Sequence, residues 1–158
     1  MFRLKKRETA AAPAESPIVN QSSEVLLEVR HVERIFDVGS RKLHVLKDIN
    51  LELRPKQLVM LRGRSGSGKT TLLNLMGGLD VPTRGEIWFR GQPLHEWNDD
   101  QRTTVRRKDI GFIFQAYALI PLLSAYENVE LSLRMAGVPR NEWRSRVKHC
   151  LELVGLGK

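Results

Sequence analysis

The sequence has a single cysteine, Cys150, in 158 residues. One cysteine excludes an internal disulfide and any CxxC redox or metal site. Cys150 falls in a helical pattern and is expected to be a small core residue. No apolar run approaches the roughly 18 residues that a membrane-spanning helix needs. The start, Met1-Phe2-Arg3-Leu4-Lys5-Lys6-Arg7, is basic, but no apolar signal-peptide core follows it. The chain is therefore expected to stay in the cytoplasm. The histidines, His31, His44, His95 and His149, show no metal-ligand spacing. No apolar run ends in Asp-Glu, and no internal repeat is visible.

What is present is ordinary for a globular chain: 41% hydrophobic and 28% charged residues. The length suits one domain able to bury a real core. The net charge is +8. Residues through Glu24 contribute only +1, from four basic and three acidic side chains, so the excess is spread over the rest. Nucleotide phosphates, anionic lipid headgroups or nucleic acid are possible partners for such a surface. A larger, better-balanced domain containing this chain would explain it equally.

The richest stretch is Gly63-Arg64-Ser65-Gly66-Ser67-Gly68-Lys69-Thr70. It fits G-x-x-x-x-G-K-[ST], a loop that cradles phosphates with backbone N–H groups. Gly63, Gly66 and Gly68 allow backbone conformations and a close approach that a Cβ would forbid. Lys69 supplies a mobile charge for the β and γ phosphates. Thr70 offers a hydroxyl to Mg²⁺, a cation that prefers oxygen. Leu58-Val59-Met60-Leu61 before the loop reads as a buried parallel strand. Leu72, Leu73, Leu75, Met76 and Leu79 after it predict a helix buried on a broad face, stopped by Gly77-Gly78.

Along the chain, residues 1–23 are small, polar and proline-containing after the basic start, and a disordered tail is expected. Val25 to Val32 reads as a strand, Phe36 to Ser40 as a turn, and Leu43 to Leu53 as a second strand. Glu86 to Arg90 is a further strand. Asn98, with Gln101 three residues on, predicts a helix start. That helix carries Arg102, Arg106, Arg107 and Lys108, a cluster expected to face solvent. Ile110-Gly111-Phe112-Ile113-Phe114 reads as a buried strand ending at Gln115. Ser124 to Glu127 is a capping box, followed by a helix with Val129, Leu131, Leu133 and Met135. Asn141 is the expected cap of the last helix, whose apolar side is Trp143, Val147, Cys150, Leu151 and Val154.

These motifs together resemble an ABC-transporter ATPase subunit. The resemblance rests on Phe36 with Gly39, Gly63 to Thr71, Pro82-Thr83-Arg84-Gly85-Glu86, Gly111 to Gln115 and Leu122 to Val129, in order and spacing. Ile110 to Leu133 is most similar to the subgroup serving lipoprotein-release and macrolide-export systems. The match covers Val25 to Lys158. It implies an α/β fold: a phosphate-loop NTPase core, an N-terminal antiparallel β subdomain and the start of a helical subdomain. Residues 24–158 would be part of such an ATPase domain. ATP and Mg²⁺ are the implied cofactors. Gly63, Arg64, Ser65, Gly66, Ser67, Gly68, Lys69, Thr70 and Thr71 would hold the phosphates. Phe36 stands where the family places an aromatic that stacks on adenine. Gln115 matches the family's glutamine that reaches Mg²⁺ and the attacking water, so Thr70 and Gln115 are the implied metal contacts. The loop from Ala116 to Leu123 would lie near a transmembrane permease subunit, with the ATPase on the inner face of the membrane.

The family pattern continues with a Leu-Ser-Gly-Gly-Gln signature, an acidic strand, a catalytic glutamate and a switch histidine. None is in this sequence. Hydrolysis needs a positioned water and a group to activate it, and Gln115 is not a base. The expectation is an incomplete domain that binds nucleotide weakly, hydrolyses it negligibly alone, and pairs with a second ATPase subunit only in complete form. Without the strand that normally lies beside the loop strand, the sheet would keep an exposed edge. The alternatives are a soluble relative acting on nucleic acid or ribosomes, and a remnant without function. The transporter reading carries no nucleic-acid partner.

Overall fold

The computed structural model describes residues 3–6 and 25–157. In chain order the elements are strand β1 (Arg3–Lys6), β2 (Leu27–Val38), β3 (Arg41–Leu53), β4 (Val59–Arg62), helix α1 (Lys69–Met76), β5 (Arg84–Phe89) and β6 (Gln92–Pro93). A short 3-10 turn (Leu94–Glu96), then α2 (Asp99–Lys108), α3 (Ala125–Met135) and α4 (Arg140–Leu153), complete the chain. It divides into two compact units, one ending at Thr103 and one beginning at Thr104.

The first unit holds an antiparallel sheet in the order β3-β2-β5-β6. Valine, isoleucine and leucine are interspersed with charged residues along β2 and β3, as a half-buried pleated surface favours. Leu27, Val29 and Val32 of β2, Leu46 of β3 and Ile87 and Phe89 of β5 form its core with Leu72, Leu75 and Met76 of α1. The turn after β2 is confined to Gly39 and Ser40. Phe36, expected in that turn, is inside the strand and opposes Leu43. Gly85 (φ +82°) passes so close to a bulge in β2 that a Cβ there would lie 2.3 Å from the His31 carbonyl oxygen. At that bulge His31 Nδ1 is 2.7 Å from Asp48 Oδ1, an exposed pair across β2 and β3.

Two expectations for the loop-bearing elements change. β4 is not a buried parallel strand; it pairs antiparallel with β1, Arg62 opposite Arg3. Leu58 and Met60 are exposed, 78% and 52%. β1 occupies one edge of β4, and among the described residues the other edge carries no ladder. Of the expected tail, Arg3–Lys6 are thus strand, and residues 7–23 lie outside the described residues. α1 buries Leu72, Leu75 and Met76, but Leu73 and Leu79 are exposed. Leu73 and Met76 instead line an apolar groove of about 330 Å³ with Leu26, Val59 and Leu61.

Asn98 and Gln101 exchange side-chain to backbone bonds of 3.0 and 2.9 Å at the start of α2, as the capping pattern requires. Arg102 departs from a solvated face. It donates to the Trp97 carbonyl at 2.8 Å, pairs with Asp99, and is 15% exposed.

In the second unit, residues 110–114 form no strand. The backbone is extended, so Phe112 and Phe114 share a face and stack at 5.5 Å, while Ile113 on the opposite face is fully exposed. A strand needs a ladder, and no neighbour within this unit supplies one. α3 opens with the expected capping box: Ser124 Oγ accepts from the Glu127 amide at 3.2 Å, and the Ser124 amide donates to Glu127 Oε2 at 2.8 Å. α4 begins at Arg140 after Pro139, with no side-chain cap, so Asn141 is a helical residue and not the cap. Val147 alone is fully buried in α4; Cys150, expected in a core, is exposed.

Candidate functional site

The phosphate-type loop connects β4 to α1 and is built as its sequence demands. Gly66 and Gly68 take positive φ, +75° and +87°. At Gly68 the constraint is double. A Cβ there would meet Leu46 Cδ2 at 2.9 Å, Val45 Cγ1 at 3.1 Å and the Val45 carbonyl at 3.2 Å. Only glycine lets α1 begin this close to β3. Gly63 contributes differently: its carbonyl, with that of Arg64, accepts from Lys69 Nζ at 2.9 Å each. Ser67 Oγ lies 3.5 Å from the same ammonium. The Ser67 amide turns back to the Arg64 carbonyl at 3.2 Å, closing the loop. Arg64, Ser65 and Thr70 are exposed, and Ser67, Lys69 and Thr71 half-buried.

The donor set fits a polyphosphate. The amides of Lys69, Thr70 and Thr71 open the helix and have no intrahelical acceptor. Gly68 provides no side-chain cap, and no acidic residue stands in the first turn. The positive end of the helix and the Lys69 ammonium thus belong to one loop, Gly63 to Thr71, that contains no carboxylate. Among the described residues no group of three or more His, Cys, Asp or Glu could hold a metal ion. The Thr70 hydroxyl suits Mg²⁺ that arrives with anionic oxygens of its own.

Phe36 is half-buried on β2. Its register partner Leu43 is three residues before Leu46, the residue against Gly68. The loop and the aromatic are therefore joined by one stretch of β3. The Arg34 guanidinium lies over the Phe36 ring, 4.4 Å from its centroid.

Gln115 belongs to the second unit, where it sits exposed in a turn that follows the extended 110–114 segment. Tyr117 and Ala118 take left-handed φ values of +58° and +53°. The segment after Gln115 is unusually apolar at its surface: Tyr117, Leu119, Ile120 and Leu122 are all exposed, Leu122 at 95%. One residue braces it. Asn128 on α3 accepts from the Ile120 amide at 2.8 Å and donates to the carbonyls of Ile120, Leu123 and Ser124 at 3.0–3.2 Å. Asn128 falls within the Leu122 to Val129 motif, which by itself assigns it no role. Its signal was an amide one residue past a capping box. Reasoning from sequence also missed Arg34 and Asp80, which bond bidentately at 2.9 Å twice. They are 46 residues apart, and no local pattern links them.

Comparison with known proteins identifies the family. The ABC transporter family model matches residues 46–158. An uncharacterized ABC transporter ATP-binding protein of Thermotoga maritima is 43% identical over 132 residues, covering 84% of this chain and 56% of that protein. The uncharacterized ABC transporter ATP-binding protein YbbA of Escherichia coli is 40% identical over 136 residues, 86% of this chain and 60% of that protein. The macrolide export ATP-binding/permease protein MacB of Wolinella succinogenes is 42% identical over 133 residues, 84% of this chain and 21% of that protein. Among solved structures, the dimeric post-hydrolysis state of the ATP-binding cassette MJ0796, bound to ADP and Pi, superposes with a TM-score of 0.67 at 36% identity. That match covers 80% of this chain and 56% of the cassette. The chain spans little more than half of the single-cassette relatives it matches. The shared fold is α/β, an ATP-binding cassette architecture with an antiparallel β sheet and helices. The chain belongs to the ABC transporter family of ATP-binding proteins.

Proposed function

We propose that this chain binds Mg-ATP through Gly63–Thr70 and is the nucleotide-binding part of an ATPase that energises a membrane export or lipoprotein-release partner. One observation carries the reading. Gly68, left-handed and backed by Val45 and Leu46, starts α1 with uncapped amides while Lys69 folds over the loop. That arrangement offers N–H donors and one cation to a polyphosphate and nothing that repels it.

Each residue then has a task. The amides from Ser65 to Thr71 and the Lys69 ammonium hold the phosphates, with the Ser65 and Ser67 hydroxyls adding donors. The Thr70 hydroxyl would hold Mg²⁺, which when bound would neutralise charge on the phosphates. Phe36 offers a flat face to the adenine. Gln115 is the candidate for orienting the attacking water, because one neutral amide both accepts and donates. The exposed apolar residues Tyr117, Leu119 and Leu122 meet a transmembrane permease subunit, and the chain sits at the inner membrane face. Among the described residues no helix is long and apolar enough to cross a membrane, which agrees with a peripheral role. A second ATPase subunit completes the assembly. Activating the water calls for a carboxylate base, and hydrolysis is assigned to an assembly that supplies one.

ATP binding and turnover, measured with and without Lys69→Ala, test this. The expected result is binding that Lys69→Ala weakens at least tenfold, the scale of removing a charge-assisted bond to phosphate, with negligible turnover in both proteins. Binding indifferent to Lys69 would sink the nucleotide reading. A Lys69-dependent turnover matching a complete ATPase would sink the assignment of hydrolysis to the larger assembly.

A further inference from the structure

We propose that Arg34 is a positioning residue for base recognition, and that Asp80 holds it in place. The inference rests on the reading of Phe36 as the base platform. Leu43, opposite Phe36, and Leu46, against the loop, are separated by roughly 10 Å of strand. That is the scale of the separation between a purine and the phosphates of its nucleotide.

One face of the Phe36 ring is taken by the Arg34 guanidinium at 4.4 Å. The guanidinium is fixed: Nε and Nη2 each donate to Asp80 at 2.9 Å, and Nη1 lies 3.5 Å from Thr83 Oγ1. The pair is shielded, with side chains 21% and 28% exposed. Asp80 is fixed in turn. Its Oδ1 accepts from the Val81 amide at 2.8 Å, and the Leu79 amide before it returns to the Asn74 carbonyl of α1 at 2.8 Å. Thr83 completes the tie by accepting from the Ile35 amide at 3.0 Å.

Four residues past the end of the helix that starts at the loop, Asp80 thus supplies the carboxylate that aims the cation over Phe36. With one ring face covered, the ring keeps the other for a base and loses freedom before any ligand arrives. A cation behind the ring draws π density from the open face, which eases stacking of an electron-rich purine. Phosphate and base sites are then set by one rigid connection.

The test compares ATP with inorganic tripolyphosphate, each with Mg²⁺, by calorimetric titration of the whole chain. Arg34→Ala is expected to weaken ATP roughly threefold to tenfold and leave tripolyphosphate unchanged. Arg34→Lys, which keeps a cation, should recover part of the loss, and Asp80→Asn should weaken ATP less than Arg34→Ala. Equal weakening of both ligands would mean a purely structural role and overturn the inference, as would no change in either. Phe36→Ala separates the two levels. If it leaves the preference for ATP over tripolyphosphate intact, the platform reading itself falls. If it abolishes that preference while Arg34→Ala does not reduce it, the platform stands and the Arg34 assignment falls. Should Arg34→Ala not fold, Arg34→Lys and Asp80→Asn decide by the same ratio.

Discussion

The two units bury apolar surface very differently. Ten of the eleven buried hydrophobic residues among those described lie in the first unit, and the second has only Val147. The first presents a loop whose backbone is forced by its own core. The second presents Ile113, Phe114, Tyr117, Leu119, Ile120 and Leu122 to solvent. The lesson is that the Gly63–Thr70 loop is supported by the core beneath it, whereas the Gln115 region is organised by local hydrogen bonds. Small buried area means low local stability.

Core truncation should separate the units most strongly. Leu75→Ala removes a fully buried side chain of α1 and is expected to cost about 2–5 kcal/mol. Val147→Ala removes two methyl groups and should cost roughly 1.6 kcal/mol. Urea titration with hydrogen exchange would show the first melting β2 to α1 and the second releasing α3 and α4. Equal effects on both units would mean that they unfold together. Asn128→Ala comes next, at roughly 0.5–1.5 kcal/mol, because most of the backbone groups it releases are exposed and water can take them. Faster exchange should be confined to the Ile120 to Ser124 backbone, with phosphate binding unchanged; a loss at the phosphate loop would contradict that separation.

The smallest effect is on the cap of α3. Ser124 holds Glu127 below the usual glutamate range, first through its hydroxyl and then through its backbone amide. Because the folded form favours the carboxylate, the contribution is present above the ordinary pKa and lost as pH falls through the lowered one. Helix content should therefore decline at the start of α3 in acid, and Ser124→Ala should flatten that dependence. The same variant should lower stability by about 1 kcal/mol at neutral pH. Unchanged acid sensitivity in Ser124→Ala would assign the effect to another group.

These contrasts explain what could be read in advance. The loop at Gly63–Thr70, the boxes at Asn98 and Ser124 and strands β2, β3 and β5 are written in residues within a few positions of each other. They were legible for that reason, as was the α/β cassette fold that the motif order implied. The pairing of β4 and the state of residues 110–114 depend on which strand lies alongside, and periodicity does not name a neighbour. Cys150 and Val154 fit a helical apolar stripe, yet a stripe is buried only where something packs on it. Arg34 with Asp80 is the strongest case. Neither residue has a local partner that marks it, and the role appears only when the end of α1 returns to β2. Arg102 was misjudged for a related reason: its charge suggested solvent, while its stem and head close against Trp97 and Asp99.

The extended segment at 112–114 sets a lifetime. With Phe112 and Phe114 stacked on one side and Ile113 bare on the other, it shows an unclaimed apolar ladder to any passing protease or chaperone. Cells triage chains by such exposure. A partner that covers that surface is therefore expected to lengthen the time each chain survives in a cell.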